Sequence, residues 1–167
     1  MFETRLRGSV LEIARPETVW LSTGWRGGRR TADAAYSVTV PEGWNPEDLP
    51  ADVARRLTSA GVAEPTCSAV GREAPVLLIG VDMRHARGAR LGPVEAFATA
   101  GVSNPAALPM DPDQADETDT TQGHGDSRPG AGTVNVVVGT TAALTEGALA
   151  NLVAVAAEAK AATLLDA

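Results

Sequence analysis

The spacing of apolar positions changes period twice along the chain. Short β-branched runs come first: Val10 to Arg15 (VLEIAR), Val19 to Ser22 (VWLS) and Ala35 to Val40 (AYSVTV) read as strands. Arg15-Pro16-Glu17-Thr18 separates the first two with turn chemistry, and STGWRGGRR (residues 22–30) is too rich in Gly and Arg for a regular element. The period then lengthens. Asn45 with Pro46 behind it opens a helix whose Leu49, Val53, Leu57 and Val62 share one apolar face, closing near Gly61. Strand-like runs return at Pro75 to Val81 (PVLLIGV) and Val94 to Ala100 (VEAFATA), the latter followed by the turn GVSNP.

The most regular stretch lies at Gly132 to Leu165. Thr133 to Val138 is β-branched except for Asn135, the pattern of a strand buried on both faces. Gly139-Thr140-Thr141 breaks it, and a long Ala/Leu/Val helix starts at Thr145 as N-cap, with Glu146 where the helix dipole favours an acid. A rotation of about 100° per residue puts Leu149, Leu152, Val153 and Ala156 on one side, with Lys160 inside the same sector. The lysine stem is expected to snorkel past that face, a catalytic lysine being the alternative. Strands followed by this helix predict an α+β (mixed α/β) fold. The expectation is one layered domain over residues 1–167, with a mostly buried mixed sheet and the long C-terminal helix packed on it.

Composition narrows the function. The 167 residues carry a net charge of −7, which disfavours a nucleic-acid partner. No apolar run reaches the roughly 20 residues of a membrane span, and MFETRLRGSV has no apolar leader segment. A single cysteine, Cys67, excludes an internal disulfide and fits a cytoplasmic protein. Residues 109–132 hold six acids against one base, Arg128, and almost nothing apolar, which predicts a mobile acidic surface loop. Only Lys160 among the 14 basic residues is a lysine, a bias that high salt or genome composition would each produce.

Candidate chemistry is sparse. His85 and His124 are the only histidines and stand outside any metal-ligand spacing, so no metal site is expected. The stretch Asp82 to Gly88 comes close to the D-x-H-x-x-G pattern by which some proteins offer a histidine to cobalt, but its spacing is one residue too long. Asp82 reads as a turn cap, or else as a carboxylate at the site edge of a sheet. Thr99, Ser103 and Asn104 put two hydroxyls and an amide around one turn, which by itself is an ordinary polar turn. Asn135 must find partners inside its strand, either in a neighbouring segment or in a ligand. Thr140 and Thr141 lie between a strand end and a helix start, where open sheets place ligands.

Taken in order, WLSTGWRGG, VPEGW, ATAGVSNP, GTVNVVVGTTAALTEGALANLV and AEAKAATLL resemble the adenosylcobinamide amidohydrolases of corrinoid salvage, the CbiZ family, from about Trp20 to Leu165. The resemblance implies hydrolysis of the amide joining the corrinoid to aminopropanol, giving adenosylcobyric acid and 1-amino-2-propanol. It implies no protein cofactor, because cobalt enters with the corrinoid substrate. The expected catalytic set is Glu146 as general base or acid, with Asn104 and Asn135 orienting substrate or holding the oxyanion. Ser22, Trp25, Arg26, Asp82, Thr99, Ser103, Thr140 and Thr141 are the expected substrate contacts, Trp25 offering a ring face to the corrin. A corrinoid carrier without catalysis and an amidohydrolase for another small amide are the competing readings, and oligomeric state stays open.

Overall fold

The computed structural model describes residues 1–41, 43–62, 73–101 and 133–165. The expected Ser103, Asn104, Cys67, His124 and the acidic segment 109–132 lie outside the described residues.

Two sheets form the body. The first has the order β1 (Glu3–Arg7), β2 (Val10–Ser22), β3 (Gly28–Thr39) and β4 (Val76–Ile79), antiparallel except for the parallel pair β3–β4. The second is the antiparallel trio β5 (Arg87–Leu91), β6 (Val94–Gly101) and β7 (Thr133–Thr140). Helix α1 (Leu49–Ser59) lies between β3 and β4, and α2 (Glu146–Leu165) follows β7. The mixed α and β content matches expectation, with two sheets where one layered sheet was expected.

The two stretches read as separate strands are one strand. Pro16 and Glu17 sit at a break in register between Ala14 and Thr18, and Glu17 adopts φ 49° while its N–H donates to Asp33 Oδ1 at 2.8 Å. A proline has no N–H to give the ladder, so it is tolerated at such a bulge without ending the strand. The bulge divides β2 by task. Val10 and Ile13 before it are fully buried in the core; Val19 to Ser22 beyond it line a cleft, Trp20 packing into the core as well.

α1 begins later than Asn45-Pro46 suggests. Asp48 is the N-cap, its carboxylate accepting from Ala51 N at 3.0 Å, and Pro50 occupies the first turn. Its apolar face is as read: Val53, Leu57 and Val62 pack with Val10, Val38 and Val76. Buried Asp52 accepts from Trp44 Nε1 at 2.9 Å, Arg56 Nε at 2.6 Å and Arg55, so its charge is paired where water cannot reach it.

The sheets meet where the edge of β4 faces β7. Asn135 Nδ2 donates to Leu78 O at 3.3 Å and Ser37 Oγ at 3.4 Å, supplying from a side chain a donor that a neighbouring strand would otherwise give the edge of β4. β7 was expected to be buried on both faces, yet Val134 to Val138 are only half-buried. The reason is α2, which stands off the sheets and leaves open space beneath it.

Candidate active-site cleft

α2 runs back along β7 after a short turn, Thr141 to Thr145. Thr145 caps it, its Oγ1 accepting from Ala148 N at 3.2 Å, and Ala142 N donates to Thr140 Oγ1 at 3.1 Å. The helix forms one wall of a cleft whose opposite wall is β7 and the distal half of β2. Val19, Trp20, Val138, Leu149 and Leu152 line both of its chambers, so the two adjoin.

The first chamber holds about 240 Å³ beneath the middle and C-terminal part of α2. Leu149, Leu152, Val153 and Ala156 line it as the helical spacing predicts, with Lys160 in the same sector. Ser22, Thr23 and Asn135 supply its remaining polar lining, and Lys160 is its only charged side chain among the described residues.

The second chamber, about 420 Å³, lies at the helix N-terminus and is polar. Thr140, Thr141, Thr145 and Glu146 line one side, and Arg15, Thr18 and Arg29 the other. Glu146 is 85% exposed, with Arg29 Nε 3.9 Å from its Oε1, a loose surface pair. The guanidinium of Arg15 lies 5.5 Å over the ring of Phe2 and reaches Thr140 O at 3.5 Å. Phe2 in turn leans on Trp20, 5.8 Å between centroids, and takes the space above Gly139 that a Cβ would occupy.

The expected site residues are thus divided. Ser22 and Asn135 share the first chamber; Thr140, Thr141 and Glu146 share the second. The five residue steps along β7 from Asn135 to Thr140 span about 17 Å of extended chain. Asn135 and Glu146 therefore belong to opposite ends of the cleft, too far apart to touch one carbonyl group. Thr99 is buried opposite Asn135 in the β6–β7 ladder and lines neither chamber.

Asp82 also lies off the cleft lining and is held locally. Its carboxylate caps the short 3-10 turn Met83–His85, accepting from Arg84 N at 2.8 Å and Arg84 Nε at 2.9 Å. The side-chain hydrogen bond from Arg84, then the backbone one, hold its carboxyl down at about 2. The turn-cap reading of Asp82 describes this placement.

Trp25 and Arg26 form a tight loop beside the cleft. Trp25 O accepts from Val76 N at 2.9 Å and its ring packs on the α1 side of the core, while the Arg26 guanidinium covers one ring face at 4.2 Å. Arg26 adopts φ 54° and lies 3.7 Å from Glu73 Oε2, which Arg30 approaches at 3.5 Å. A Cβ at Gly24 would come 2.5 Å from Val76 O, so only glycine fits there. What the loop presents to the cleft is Ser22 and Thr23, with Gly24 N donating to Ser22 Oγ at 3.1 Å.

Lys160, Arg15 and Arg29 were not among the expected contacts. The sector analysis of α2 pointed at Lys160. Nothing local in the sequence marks the two arginines, because they reach the cleft only through the bulge in β2 and its pairing with β3. Among the described residues no three His, Cys, Asp or Glu side chains gather around a common point suited to a metal, and no helix is long and apolar enough to cross a membrane.

Comparison with known proteins agrees with this sequence pattern. The family model for adenosylcobinamide amidohydrolase (CbiZ) matches residues 3–167. An adenosylcobinamide amidohydrolase of Halobacterium salinarum is 56% identical over 165 residues, which is 99% of this chain and 66% of that protein's length. No solved structure matches the chain.

Proposed function

The chain belongs to the adenosylcobinamide amidohydrolase family, and from that premise we propose that it hydrolyses the amide between a corrinoid propionyl arm and aminopropanol. The products are adenosylcobyric acid and 1-amino-2-propanol. The observation that carries this reading is the family match through every segment that lines the cleft, from β2 to the end of α2. In this proposal residues 1–167 form one cytoplasmic domain, and cobalt arrives as part of the substrate.

Chambers of about 240 and 420 Å³ suit side arms rather than a whole corrin, since even drug-sized ligands fill roughly 300–1,000 Å³. The macrocycle therefore lies across the cleft mouth with its arms inserted. The scissile amide enters the polar chamber. Glu146 takes a proton from water as the water oxygen bonds to the carbonyl carbon, giving a tetrahedral oxyanion. Collapse of that species breaks the C–N bond, and Glu146 returns the proton to the leaving amine. The hydroxyls of Thr140 and Thr141 orient the amide, and Arg15 and Arg29 balance the negative charge of the carboxylate product. Trp25 and Arg26 act at one remove by holding the loop that presents Ser22, while Asn104 keeps its expected part in orienting substrate or holding the oxyanion and Ser103 its expected substrate contact.

The test is to incubate the protein with adenosylcobinamide and measure released 1-amino-2-propanol. Glu146→Gln is expected to lower kcat by about 10² to 10⁴ with little change in corrinoid binding. Wild-type turnover by this variant removes Glu146 from the chemistry. Tight corrinoid binding by the wild-type protein with no amine released makes it a carrier.

A further inference from the structure

The first chamber contains a donor–acceptor set that the hydrolytic step leaves unused. Its walls are apolar except at Ser22, Thr23, Asn135 and Lys160. Asn135 is fixed in orientation, because turning its amide over would set Oδ1 against Leu78 O in place of Nδ2. That leaves Oδ1 without a donor among the described residues. Ser22 Oγ already accepts from Gly24 N, so its hydrogen is free to be given away. Lys160 is exposed, makes no ion pair among the described residues, and lines the same chamber with a side chain that carries three N–H donors.

Together these groups offer an acceptor at Asn135 and donors at Lys160 and Ser22. A carboxylate would meet the Asn135 oxygen with repulsion, and a hydrocarbon would strand all three. A primary carboxamide satisfies them: its carbonyl accepts from Lys160 or Ser22, and its NH₂ donates to Asn135 Oδ1. Building on the proposed function, we infer that this chamber is a recognition subsite for an uncleaved primary amide arm of the corrinoid, with Lys160 its main anchor. Lys160 and Glu146 lie 14 residues apart on α2, about 21 Å along the helix, so one ring spanning the cleft mouth meets both ends at once.

Two measurements decide it. In steady-state hydrolysis of adenosylcobinamide, Lys160→Met keeps the stem and loses the charge; it is expected to raise KM by about tenfold with kcat within a factor of two, and Lys160→Arg to recover part of the loss. The second readout needs no turnover. Lys160 is the only lysine in the chain, so an amine-acylating reagent followed by peptide mass spectrometry reports its accessibility alone. Cobinamide and cobyric acid, which share the uncleaved arms, are both expected to slow its acylation at least fivefold. Unchanged acylation in saturating corrinoid overturns the subsite even if hydrolysis proceeds, and so does a loss in kcat at constant KM. Protection without any amine release upholds the subsite and removes the hydrolytic reading instead.

Discussion

Helix α1 has 11 residues and α2 has 20, yet the shorter one is the more deeply seated. Val53 and Leu57 of α1 are buried against both neighbouring strands, and Asp48 closes its first turn. No described residue of α2 is buried, and Val153 and Val155 are exposed although the helix is apolar nearly all round. An amphipathic helix has one face to hide and hides it in the core. An evenly apolar helix held away from its sheet leaves contact area unused, about 25 cal/mol for each Å² not covered. In α2 that unused area is the cleft. Stability is concentrated around α1, and the open cleft around α2.

Paired truncations break or sharpen this division. Leu57→Ala, on α1, is expected to cost about 2–5 kcal/mol in denaturant unfolding and to leave the KM of the surviving folded protein unchanged. Leu152→Ala, half-exposed and lining both chambers, is expected to cost about 1 kcal/mol and to raise KM. Equal stability losses in the two would dissolve the contrast. Gly139→Ala comes next in size. The added methyl would overlap the Phe2 ring, which must move off the cleft floor, at a cost of about 1–3 kcal/mol with altered kinetics.

The smallest effect concerns Asp82, which belongs to neither helix. Its carboxyl is lowered to about 2 by Arg84, so its contribution is complete above the ordinary value of 3.8 and is lost as pH falls toward 2. Thermal unfolding of Asp82→Asn is expected to lie slightly below the wild type at pH 5, with the gap closing by pH 2. A gap that persists at pH 2 would assign the effect to something other than the carboxylate charge.

The same division decides what could be read from the sequence. The α1 face, β4, β6, the Thr145 cap and the Asp82 turn follow from local chemistry and stand close to where the residues place them. β1 (ETRLR) and β5 (RGARL) were missed because edge strands in water carry charges and show little burial pattern. Pro16 imitates a turn, since a bulge and a turn use the same residue types. The strand character of Gly28 to Arg30 comes from pairing with Trp20, Leu21 and Ser22, not from their own propensities. For the cleft, Lys160 was visible in the helical sector and Asn135 as a polar interruption. Their separation from Glu146 was not, because it depends on how α2 doubles back over β7.

The parallel pairing of β3 with β4 also governs how the chain reaches its native state. β1, β2 and β3 meet through short antiparallel connections, whose ends find each other at little entropic cost. β4 has no such shortcut: the chain between Thr39 and Val76, with α1 in it, must close before the first parallel hydrogen bond forms. Refolding should accordingly be paced by closure of this segment and the docking of α1, so that variants on α2, which lies outside the closing loop, can alter turnover while the time needed to fold stays the same.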